Sequence, residues 1–165
     1  AALAPVLQSL QTIDVLVHIA GGFEMGEAVD ELGRDTWDRM MQLNAWSFVA
    51  VARSLVPAMV ATKSGRIVAV TAKAAARGGA SMSAYAASKS ALARLVESMA
   101  DELAPQGVRV NSVAPSILDT PANRQAMPAA DPSGWVSTAQ AAAVIAFLAS
   151  PAADVLRGQH LVLEV

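Results

Sequence analysis

Four short, strongly apolar runs punctuate this chain, and helical stretches separate them. The runs are IDVLVHI at residues 13–19, RIVAVTA at 66–72, VRVNSVA at 108–114 and HLVLEV at 160–165. Runs rich in Val, Ile and Leu, with little polar alternation, read as strands buried on both faces. Between the first two, residues 35–59 place Trp37, Met40, Met41, Leu43, Phe48, Val51, Leu55 and Met59 at helical spacing, with Asp35 or Thr36 as the cap. A long helix is predicted from about Ser83, with Gly107 placed to end it, and an Ala-rich helix over residues 138–148. Residues 1–10 suit the tail of an earlier helix. Residues 116–133 hold Pro121, Pro128 and Pro132 and read as a long loop with room for a short helix. Long ordered loops in compact domains are often lids. Strands alternating with helices require a parallel sheet covered on both faces, so the predicted class is α/β, a three-layer α/β/α arrangement forming a single domain over residues 1–165.

Composition narrows the function classes. The 165 residues are 54% hydrophobic and 16% charged, enough for a sizeable core and too apolar for a disordered chain. A net charge of -2 argues against a nucleic-acid binder. With no cysteine there is no disulfide, thiolate nucleophile or cysteine zinc site. Two histidines, His18 and His160, and no GxSxG weigh against a metal centre and a hydrolase. Gly, Pro or charge interrupts the apolar runs, so no membrane span is predicted, and no basic signal-type start is visible.

The chemistry concentrates in Tyr85-Ala86-Ala87-Ser88-Lys89. Tyr and Lys four apart share a helical face. An ammonium near a phenol favours the phenolate, which suits the tyrosine to general acid–base work. A lone YxxxK is weak, but this one follows a buried strand and a glycine-containing loop, and a further strand closed by Pro115 comes after it.

In that context the chain resembles the short-chain dehydrogenase/reductase family. AGG at residues 20–22 sits at the family's NNAG turn, LNAWSF at 43–48 on the helix of its active-site asparagine, and GRIVAVTA, YAASKSAL, GVRVNSVAPS and VAPSILDTP follow in family order. The resemblance implies the C-terminal portion of a Rossmann-type doubly wound parallel sheet, and hydride transfer between NADP or NAD and a substrate C=O or C=N. It implies Tyr85 as proton donor, Lys89 as its activator and a ribose ligand, and Asn44 as holder of a relay water. Ala20, Gly21, Gly22, Pro115, Leu118 and Thr120 would join Tyr85 and Lys89 in holding the cofactor. AKAAARGGASMSAY followed by LDTPANRQAMPAADPSGW is similar to the quinonoid dihydropteridine reductase group, which implies a pterin-like substrate near Ala72, Lys73, Phe23, Met127 and Trp135. A small-molecule substrate, no nucleic acid or membrane partner, and a cytoplasmic homodimer or homotetramer paired through helices 35–59 and 83–104 complete the expectation.

The chain also departs from the family. The serine thirteen residues before the tyrosine is Ala72 here. NNAG has become His18-Ile19-Ala20-Gly21, and His18 reads as a core or edge residue; PG has become Pro115-Ser116. No GxxxGxG turn occurs, so the chain matches the family from just before its fourth strand, with two βα crossovers missing ahead of it. The run at 13–19 should then expose an apolar strand edge. Asp119 is a candidate cap for a short lid helix. The alternative function is a non-catalytic remnant acting as an oligomerisation or binding module.

Overall fold

The computed structural model describes residues 12–165; the helix tail expected at residues 1–10 lies outside them. The chain runs β1 (Val15–His18), α1 (Arg34–Met41), a π-helical turn (Gln42–Trp46), α2 (Ser47–Thr62), β2 (Gly65–Val70), α3 (Ser83–Leu103) and β3 (Val108–Pro115). It continues through β4 (Leu118–Asp119), α4 (Pro121–Ala126), β5 (Val136–Ser137), α5 (Thr138–Leu148) and β6 (His160–Leu163). Single 3-10 turns occupy several of the connections.

β1, β2, β3 and β6 lie side by side in that order, all parallel. Successive strand residues face opposite sides. Ile67 and Ala69 of β2 and Val108 and Val110 of β3 pack with Phe48 and Met59 of α2 and Leu92, Val96 and Ala100 of α3. Val68 and Val113 join Leu148 of α5 in a second core, with Val144 and Ile145 half-buried against it. Each such fully buried side chain contributes about 1.5–3 kcal/mol. The result is the expected three-layer α/β/α sandwich. Among the described residues β1 pairs with β2 alone, and Val15 and Val17 remain 39% and 36% exposed, the open edge that the sequence implies.

Local chemistry sets several boundaries differently. The helix expected over residues 35–59 is α1, the π turn and α2; Gly33 precedes it with no side-chain cap, and Thr36 donates to Glu27 Oε1 at 3.2 Å instead. By length and composition the run Arg34–Thr62 is apolar enough to cross a membrane, a property that long core helices share. Here its Met40, Phe48, Ala52, Leu55 and Met59 are buried in the fold. The loop expected over residues 116–133 is more ordered: β4 pairs with β5, and α4 stands between them. Thr120 caps α4, its Oγ1 accepting from the Asn123 N–H at 3.1 Å, while Asp119 pairs with Arg124. A Ser137–Gln140 capping box starts α5.

Candidate active site

In an open parallel sheet, ligands sit beyond the carboxyl ends of the strands. Ala20, Gly21, Gly22 and Phe23 follow β1, Ala72 and Lys73 follow β2, and Pro115, Leu118 and Thr120 end or follow β3. The topology therefore collects nearly every sequence-derived candidate along one edge of the sheet. α3 adds Tyr85 in its first turn and Lys89 one turn later.

Lys89 is 5% exposed, and its ammonium donates to the carbonyl of Val70, the last residue of β2, at 3.1 Å. Asn44, fully buried in the π turn, holds Gly22 by both polar backbone groups: Oδ1 accepts from the Gly22 N–H at 2.8 Å, and Nδ2 donates to the Gly22 carbonyl at 3.0 Å. A second Nδ2 hydrogen goes to Ser88 Oγ at 2.9 Å, and Ser88 in turn donates to the Tyr85 carbonyl at 2.8 Å. A Cβ on Gly21 would lie 2.7 Å from Asn44 Oδ1 and 2.9 Å from Lys89 Nζ. The glycine thus makes room for the approach of both side chains. π turns recur at functional sites, and this one carries the asparagine that ties β1, α1–α2 and α3 together.

Burial shapes the titration of the pair. It lowers the Lys89 ammonium from 10.5 to about 8. It also raises the Tyr85 phenol above its ordinary 10.0. The lowering of the phenol expected from Lys89 is not seen here, because the lysine head is directed at the Val70 carbonyl and the Gly21 turn. The Asn44 side-chain donors are both committed, so a relay water would meet another group of that residue.

The remaining candidates divide. Phe23, 58% exposed, stands edge-on to the Tyr85 ring with centroids 4.8 Å apart. Ala72 is buried at the start of a turn that Ser90 ties to α3 through the Ala75 carbonyl at 2.5 Å. Thr71 faces away, donating to the Val113 carbonyl at 2.9 Å, and so does not stand in for the absent serine. Lys73 is exposed and pairs with Glu164 beyond β6. Met127 is half-buried after α4, and Trp135 is 8% exposed just before β5. The Thr120 hydroxyl is occupied as a helix cap, and the Leu118 carbonyl accepts from Asn123 at 2.8 Å. His18 is buried, bonded to Ser47 Oγ at 3.2 Å and edge-on to Phe48; burial, then the Lys89 charge, lowers its pKa.

Sequence reasoning passed over Ser88, which it named only as part of YAASK. A serine inside a helix bonding back to the carbonyl three residues earlier is the signal available for it. It also passed over the Glu24–Arg39 pair, 2.5 Å apart, which pins the segment beside Phe23 to α1.

A family model described as Enoyl-(Acyl carrier protein) reductase matches residues 1–164. The 3-oxoacyl-(acyl-carrier-protein) reductase FabG of Vibrio cholerae is 30% identical over 169 residues, covering 98% of this chain and 69% of that protein. The 2-dehydro-3-deoxy-D-gluconate 5-dehydrogenase of Pseudoalteromonas atlantica is 37% identical over 115 residues, covering 70% of this chain and 44% of its own length. Among solved structures, a 7α-hydroxysteroid dehydrogenase complexed with NADH and 7-oxo glycochenodeoxycholic acid superposes with a TM-score of 0.84 at 31% identity, over 98% of this chain and 67% of that one. The chain spans 44% to 69% of the length of these two curated relatives. On the family match and these relatives, the chain belongs to the short-chain dehydrogenase/reductase family.

Proposed function

We propose that this chain supplies the proton-transfer and nicotinamide side of an oxidoreductase that moves hydride between NAD or NADP and a C=O or C=N substrate. One observation carries the reading: Tyr85 and Lys89 lie on one face of α3, with Lys89 Nζ and Asn44 Oδ1 both packed against Gly21 at the carboxyl edge of the sheet. A tyrosine held there can give or take the proton that a carbonyl or imine exchanges during reduction.

The residues present suit a nicotinamide group. Gly21, with no side chain, leaves Lys89 Nζ uncrowded at the carboxyl edge of the sheet, and the Ser116 hydroxyl, just past Pro115, is buried without a partner among the described residues. A bound dinucleotide supplies the hydride itself. Ala20, Gly21 and Gly22 would border it, with Lys89 reaching its ribose hydroxyls and Pro115, Leu118 and Thr120 flanking its carboxamide end. Tyr85 holds the transferable proton on its phenol oxygen. Lys89, charged below about 8, would favour the phenolate once a ligand draws its ammonium off Val70.

For the substrate we favour a planar, pterin-like C=N compound. Ala72 offers no hydroxyl to orient a ketone, and Phe23 gives the rim an aromatic wall beside Tyr85. Lys73, Met127 and Trp135 would enter only through movement of the lid or of the Lys73–Glu164 pair. Two copies would pair through the helices at 35–59 and 83–104, where a groove of about 1140 Å³ is lined by half-buried Met41, Val49 and Leu95 and exposed Trp46.

The test is equilibrium titration of the whole protein with NADH and with NADPH, followed by the fluorescence of the reduced nicotinamide. The reading requires that at least one binds and that Lys89→Met, which removes the ammonium proposed to reach the ribose hydroxyls, weakens it. Binding of neither dinucleotide would overturn it in favour of the binding-module alternative.

A further inference from the structure

Tyr85 is covered by a ring distant from it in sequence. Phe23 meets it edge-on, with centroids 4.8 Å apart and ring planes at 81°. Edge-to-face contact is a favoured aromatic geometry. At 58% exposure Phe23 draws little from burial elsewhere, so its position must come from this contact and from its own backbone.

That backbone is tied down on both sides. Behind Phe23, Asn44 grips the N–H and carbonyl of Gly22. Ahead of it, the Gly26 N–H donates to the Ser81 carbonyl at 2.7 Å, joining the segment after β1 to the segment before α3. Gly26 has φ 135° and Ser81 φ 57°, so both ends of this bond sit in a region L side chains rarely adopt. A strained non-glycine residue persists only where its surroundings over-determine it. Between the two ties, Glu24 is paired with Arg39 of α1. No Cβ on Gly26 would meet anything within 4 Å, so its conformation, and not its size, is what the latch needs.

We propose that Phe23 is a positioning residue for Tyr85: fixed between the Asn44–Gly22 grip and the Gly26–Ser81 latch, its ring seals the phenol from bulk water and sets the plane from which the proton is transferred. The positioning role rests on the reading of Tyr85 as the proton donor; the sealing does not. The ionisable groups on the surrounding elements include Lys89 on α3, His18 on β1, Arg34, Asp35 and Asp38 on α1, Glu27 and Arg77 in the connecting segments, and the Lys73–Glu164, Asp119–Arg124 and Glu24–Arg39 pairs. None of these displaces the phenol, whose upward shift comes from burial.

Tyr85 is the single tyrosine of these 165 residues, so the phenolate absorbance that an alkaline titration loses in Tyr85→Phe reports on it without substrate or cofactor. In the folded whole protein the phenol should titrate above 10.0. Phe23→Ala should bring it down toward that ordinary value, and Phe23→Trp should restore the elevation. Gly26→Ala retains the Phe23 ring but opposes the φ of the latch that fixes it, and should act in the direction of Phe23→Ala. In turnover, Phe23→Ala should lower kcat more than it raises KM for the dinucleotide. An unmoved phenol in folded Phe23→Ala and Gly26→Ala protein overturns the proposal, even if the enzyme is an active reductase. A moved phenol in a protein that binds neither NADH nor NADPH would overturn the reductase reading and leave the sealing by Phe23 standing.

Discussion

Lys89 holds a charge in a place with almost no water, and its titration carries the cost. With the folded value depressed from 10.5 to about 8, the unfolded chain binds more protons across that interval. Stability must therefore rise as pH climbs from about 8 to 10.5, and the penalty is complete below about 8. The interval corresponds to about 3 kcal/mol. Lys89→Met should remove this slope and be the more stable protein at neutral pH, by somewhat less than that amount because the Val70 carbonyl loses its donor. Thermal midpoints of both proteins at neutral pH and at a pH between 8 and 10.5 check it; a variant that keeps the slope would place the titration elsewhere. A protein that retains so costly a residue is using its charge for something other than stability. YxxxK spacing made Lys89 legible in the sequence. Its near-complete burial was not, because burial depends on the Val70 carbonyl and the Gly21 turn brought in from other elements.

Among the elements, the junction of α1 and α2 matters most to the site. QLNAW keeps the apolar spacing of an ordinary helix, so nothing in those five residues announces a π turn. The turn becomes intelligible only with Gly22 and Ser88 in place, since Asn44 spends its amide on both. Ser88→Ala leaves a buried Asn44 N–H without its acceptor, at a cost of about 1–3 kcal/mol. The same substitution should cost distinctly less in an Asn44→Ala background, because the two side chains act as one unit. Denaturant unfolding of the four proteins measures the coupling; additive effects would dissolve the unit. The lid teaches a related lesson. Three prolines suggested a loop, yet Thr120 and Asp131 cap two short helical turns within it, and β4 finds β5 far along the chain. Prolines at the first positions of those turns are starts, not breaks.

At the scale of the molecule, the order and direction of the four sheet strands follow from their apolar runs and the helices between them. Those features need only the period of the pattern, which is why they could be read early. Strand ends, the π turn and the small β4–β5 ribbon depend on contacts between distant residues and could not. Among the described residues, the unpaired flank of β1 and the groove between the Arg34–Thr62 run and α3 are two surfaces that expose apolar area. Self-association through the groove predicts a dimer or larger species by sedimentation equilibrium, reduced to monomer by Trp46→Arg, whose parent side chain is 48% exposed there. A monomer at all concentrations would contradict it. If Tyr85 moves the proton in a nicotinamide-dependent reduction, Tyr85→Phe, which keeps the ring against Phe23 and removes only the hydroxyl, should lose at least about two orders of magnitude in kcat relative to the whole protein, with dinucleotide binding retained. Undiminished turnover by Tyr85→Phe would take the proton transfer away from Tyr85.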